Sequence, residues 1–90
     1  MKKYLIEREI PGVGALTGAE LQDAARTSNA ALCQLGPKVQ WLQSFVTPDK
    51  TFCIYLAEDE DVIREHASLS GFPANRITEI SWVIDPATAG

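Results

Sequence analysis

The sequence holds one histidine, one methionine and two cysteines. Neither cysteine sits in a C-x-x-C, which excludes a zinc ribbon or a thioredoxin-like redox motif. No apolar run approaches the ~18 residues that a bilayer span needs, so no membrane partner is expected. Basic residues are few and scattered, 8 against 12 acidic, for a net charge of −4. That balance excludes an extended nucleic-acid surface, and no nucleic-acid partner is expected. Gly12-Val13-Gly14 follows a strand pattern, but no G-x-G-x-x-G is present and the dinucleotide fingerprint is missing. Ser44 has no Ser-His-Asp context. Glu58 to Asp61 form an acidic run without the glycine and distal glutamate of a calcium loop, and they read as a solvated helix start.

Met1-Lys2-Lys3 resembles the start of a signal peptide, but Glu7, Arg8 and Glu9 interrupt the apolar stretch that should follow. The expectation is a cytoplasmic protein, in which Cys33 and Cys53 are reduced core thiols rather than a disulfide.

What remains is the balance of a folded domain: 90 residues, 46% hydrophobic and 22% charged. A chain of 9.8 kDa should fold to about 5,200 Å² of accessible surface, enough for one core spanning residues 1–90. Residues 3–9 (KYLIERE) alternate as a strand, and Pro11, Gly12 and Gly14 break the chain after it. Thr17 and Glu20 make a T-x-x-E capping box, with Leu16 and Leu21 at the hydrophobic-staple positions. Leu21, Ala24, Ala25, Ser28, Leu32 and Leu35 follow at helical spacing until Gly36-Pro37. The helix is predicted over 18–35.

Residues 39–47 (VQWLQSFVT) and 51–57 (TFCIYLA) form a predicted hairpin through Pro48-Asp49-Lys50. A second helix is predicted over 58–70, with Val62, Ile63, His66, Ala67 and Ser70 on one face and Gly71 as its stop. Residues 76–85 (RITEISWVID) read as a last strand.

The order β-α-β-β-α-β is that of a ferredoxin-like α+β sandwich: a four-stranded antiparallel sheet with two helices on one face. The other face should carry Trp41 and Phe45 by alternation, joined by Phe52, Ile54 and Leu56. An apolar open face of that size calls for a partner, most simply a second copy, and a homodimer with a cavity between the sheets is expected.

His66 is the one imidazole available for chemistry. On an apolar helix face it reads either as a buried histidine bonded to a carbonyl or carboxylate, or as a ligand for a borderline ion, or as a general base. Glu7, on a central strand, must be paired or ligating. Its structural partners are Arg8, Arg64 or Arg76, with Arg8 the obvious counter-charge. His66 and Glu7 are the candidate metal ligands. Tyr55, Trp41 and Gln43 are the candidate ligand-contacting residues, and strand packing accounts for the two aromatic ones equally well.

Taken in order, residues 4–12 (YLIEREIPG), 35–37 (LGP), 39–47 (VQWLQSFVT), 49–55 (DKTFCIY), 63–67 (IREHA), 71–74 (GFPA) and 83–86 (VIDP) give the chain a resemblance to a known family. It resembles a bacterial domain-of-unknown-function family with a nickel-binding branch, and the likeness runs over about residues 3–88. The resemblance implies the same fold, a homodimer, and nickel or another divalent transition metal as cofactor. Relatives look to carry histidine at the position of Gln43 and tyrosine at that of Phe45. If either group holds the ion, this chain binds it weakly or not at all.

Three functional readings follow. One is a homodimeric metal-binding protein. Another is a cofactor-free enzyme, with His66 as base and Tyr55 or Gln43 orienting a substrate. The third is a ligand-binding or interaction module without chemistry.

Overall fold

The computed structural model describes residues 1–90. β1 (Lys2–Glu9) buries Tyr4, Ile6 and Arg8 in strict alternation, as a half-covered strand should. α1 (Gly18–Leu35) begins at the expected capping box: the Glu20 amide donates to Thr17 Oγ1 at 3.2 Å, and the Thr17 amide donates to Glu20 Oε1 at 3.0 Å. β2 (Val39–Val46) and β3 (Lys50–Ala57) form the hairpin. α2 (Glu60–Ser70) is capped by Asp59, whose Oδ1 accepts from the Val62 amide at 3.0 Å. Gly71 closes it at φ 79°, a left-handed turn that favours glycine. β4 (Arg76–Ile80) completes the sheet.

The strand order is β2-β3-β1-β4, every neighbouring pair antiparallel, with both helices packed on one face. This is the ferredoxin-like α+β arrangement. The core lies between that face and the helices: Tyr4, Ile6, Val39, Cys53, Tyr55 and Ala57 from the sheet, Val62 and Ile63 from α2.

Three sequence expectations are corrected. β4 ends at Ile80 rather than at residue 85, because Ile80 already pairs with Lys3 and β1 offers almost no backbone beyond it. Trp82, Val83 and Ile84 are consequently exposed, Trp82 to 86%. The second correction concerns Trp41. A bulge at Leu42 puts two residues of β2 against one of β3: Trp41 pairs with Tyr55, and Gln43 with Ile54. Side-chain parity reverses across a bulge. Trp41 therefore faces the helices, and only Phe45 of the expected pair lies on the open face, with Leu5, Phe52, Ile54 and Leu56. Of the two thiols, Cys53 is buried but Cys33 is exposed on α1, so only one is a core residue.

The accessible surface is 5825 Å², about 600 Å² above the scaling expectation for a free-standing chain of this mass.

Candidate functional site

The composition of α1 creates space inside the subunit. Its C-terminal half packs Leu32 and Leu35 against the core. Its first three turns present Leu21, Ala24, Ala25 and Ser28 to the sheet instead. Small side chains there leave a cavity of about 270 Å³ between α1 and the sheet. Its lining is mostly hydrophobic and includes Trp41, Cys53 and Tyr55 from the sheet and Phe72 from the segment after α2.

One charged side chain enters this apolar space. Arg8 follows Tyr4 and Ile6 in the strand alternation and so points inward, at 3% exposure. Its Nη1 donates to the Pro73 carbonyl at 2.8 Å and more weakly to that of Phe72 at 3.4 Å. Its Nη2 is buried without any hydrogen-bond partner. The guanidinium carbon stands 5.9 Å from the centroid of the Tyr55 ring, a cation–π distance. None of the ion pairs in the molecule involves Arg8. The expectation that Arg8 is the counter-charge of Glu7 is thus incorrect. The two are consecutive on a strand and project to opposite faces.

Beside Arg8 lies a second polar group. Ser28 Oγ and His66 Nε2 are 3.1 Å apart, both buried. The expected carbonyl or carboxylate partner of His66 is replaced by this hydroxyl, and its Nδ1 has no partner. Burial and then the Arg8 charge push the His66 pKa below the usual 6.5, which keeps the ring neutral at pH 7. The Tyr55 ring is 5.4 Å from the imidazole, and burial raises its phenol pKa above 10, against the opposing pull of Arg8 and Ser28. Across the bulge, Trp41 Nε1 donates to Ser44 Oγ at 2.9 Å.

The structure brings Tyr55 and Trp41 together at the cavity and sets His66 behind Ser28 at its edge. Glu7 and Gln43 are elsewhere. Both project from the open face, where Glu7 pairs with Arg76 at 3.9 Å. The sheet lies between His66 and Glu7, and one subunit does not place them on a common ion. No three His, Cys, Asp or Glu side chains cluster in a way that could hold a metal. A nickel ion at His66 would find one imidazole nitrogen and no such set around it, so the donors of a single chain do not fit the ion.

Arg8 and Ser28 are the residues that a motif search misses. Both were legible as polar residues at buried positions: Arg8 by the period-two pattern of β1, Ser28 by its place among the alanines of α1. No helix is long and apolar enough to cross a membrane.

Residues 4–80 match a family described as nickel responsive protein, SCO4226-like. No curated protein matches the chain. The crystal structure of SCO4226 from Streptomyces coelicolor A3(2) is similar in fold, with a TM-score of 0.76 over 91% of this chain and 99% of that one, at 15% identity.

Proposed function

The chain belongs to the SCO4226-like family of nickel responsive proteins, and from that starting point we propose that it is a self-paired ligand-binding protein whose site is the cavity beneath α1. One observation carries the proposal: a mostly hydrophobic cavity of about 270 Å³ into which an ion-pair-free buried arginine projects. Ligand sites combine apolar walls with a few placed polar groups in this way. Binding is favoured over catalysis because the Ser28–His66 pair lacks the third group that would orient the imidazole, its Nδ1 being unpartnered.

The proposal includes a second copy over the open face. Leu5, Phe52, Ile54 and Leu56 form its centre, beside the exposed Phe45, and an apolar face of this kind on a small domain is usually covered. It also includes residence in the cytoplasm, supported by two thiols that stand unpaired.

Small neutral and charged aromatic compounds, screened by thermal shift, test the pocket. Binders should raise the melting temperature of the wild type and not that of Ala25→Leu, which fills the cavity. Equal shifts in both proteins would place the binding outside it.

The family description favours a second reading, a divalent ion bound by the dimer. The donors would then come from the open face, where Glu7 stands and where relatives resemble a histidine-bearing version of position 43. Here Gln43 occupies that place, and carboxylates and amides without an imidazole suit harder ions than nickel. Calorimetric titration with Ni²⁺ separates the readings. Binding to the pocket predicts no heat beyond that of His66→Ala. Saturable, stoichiometric heat lost in Glu7→Gln would establish the metal reading.

A further inference from the structure

We infer that the cavity beneath α1 selects a small organic monoanion, a carboxylate carried on an aromatic or branched apolar body, and that Arg8 is the residue that selects it. The inference rests on the proposed pocket and goes beyond it by naming the ligand class.

The argument begins with an unbalanced charge. A guanidinium carries a permanent charge, and burying it without a counter-ion is costly. At 3% exposure Arg8 is shielded from bulk solvent, and it has no carboxylate in contact. Two carbonyls satisfy Nη1 in part, and the Tyr55 ring supplies a weak quadrupole. Nη2 is left without an acceptor in a residue that lines the cavity. An anion in the cavity would satisfy that donor and neutralise the charge at once. A charge-assisted bond of this kind is roughly twice as strong as a neutral one.

The charge of the ligand follows from the census of the lining. Arg8 is the one cation there, so a dianion would leave one negative charge unmet. The remaining polar side-chain groups are hydroxyls, the Cys53 thiol and the Trp41 indole N–H, all uncharged. The Ser44 oxygen already accepts from Trp41, which leaves its proton free to donate. The body of the ligand follows from the walls. An apolar cavity of about 150 Å³ holds benzene. At about 270 Å³ this one has room for a ring or a branched chain together with its carboxylate, and little more. Ala24, Ala25 and Phe72 give that body apolar contact.

The test compares benzoate with benzamide, equal in size and shape and different in charge. Both are titrated into the ¹⁵N-labelled full chain at pH 7, with the Arg8 side-chain and the Ser28 and Trp41 backbone resonances as readouts. Benzoate should shift these resonances saturably, with a Kd at least tenfold below that of benzamide. In Arg8→Met, which replaces the buried charge by a shorter unbranched apolar chain, that preference should vanish. The wild-type comparison stands without the variant should the variant not fold. Equal affinity for benzoate and benzamide would overturn the selection of an anion and leave the pocket itself standing. Failure of benzoate, benzamide and uncharged toluene alike to move the cavity resonances would overturn both.

Discussion

The guanidinium of Arg8 lies 5.9 Å from the centre of the Tyr55 ring, a buried cation over a buried aromatic face. Burial, and after it this cation, depresses the pKa of His66, and the cation works against the desolvation that raises the Tyr55 phenol. A positive charge, a neutral imidazole and a neutral phenol therefore coexist at pH 7 on side chains that are all buried. A buried cation without a counter-ion is costly, and an anionic guest would offset that cost.

Stability should fall as the pH drops through the range in which free histidine titrates. His66 has a folded pKa below its unfolded value near 6.5, so the unfolded chain binds the proton more readily. The contribution is fully present above pH 6.5 and is lost as the pH falls toward the folded pKa, with a slope of at most about 1.4 kcal/mol per pH unit. Urea unfolding between pH 7.5 and 5.5 measures it. His66→Gln should flatten the dependence, and an unchanged slope in that variant would assign it to other groups.

The open face should hold the two copies together. Ile54→Lys, at its centre, is expected to convert a particle of twice 9.8 kDa into one of 9.8 kDa by light scattering, with an unchanged circular dichroism spectrum. A wild-type protein that runs as a single subunit at high concentration would remove the second copy from the account.

Gly14 should tolerate no side chain. A Cβ there would lie 2.7 Å from Pro48 Cα and 2.8 Å from the Thr47 oxygen, both backbone atoms. The contact fastens the β1–α1 loop to the hairpin turn, since the Gly14 amide donates to the Pro48 carbonyl at 3.0 Å. Gly14→Ala should destabilise by about 1–3 kcal/mol in chemical denaturation. The cap at the other end of the same loop is worth less: Thr17→Ala should cost about 1 kcal/mol.

The helices and hairpin were readable because their signals are local. The Thr17–Glu20 box, Gly36-Pro37 and Gly71 each act within one turn of chain, and α1 runs over the predicted residues, Gly18–Leu35. The end of β4 depends on where another strand runs out, which no window of its own sequence records. The face of Trp41 depends on one inserted residue in β2, invisible to simple alternation. The site was half legible. Tyr55 and Trp41 were singled out and do line the cavity. Arg8 was assigned to Glu7 because neighbours in sequence suggest an ion pair, although the alternation of β1 that buried Tyr4 and Ile6 had already turned it inward.

The most direct test of the cavity as the binding site is an intermolecular nuclear Overhauser experiment on the benzoate-saturated protein. Contacts from the benzoate ring protons to the Tyr55 and Trp41 rings and the Ala25 methyl are the predicted result. Contacts confined to the open-face residues Phe52 and Ile54, with none to Tyr55, would contradict the account.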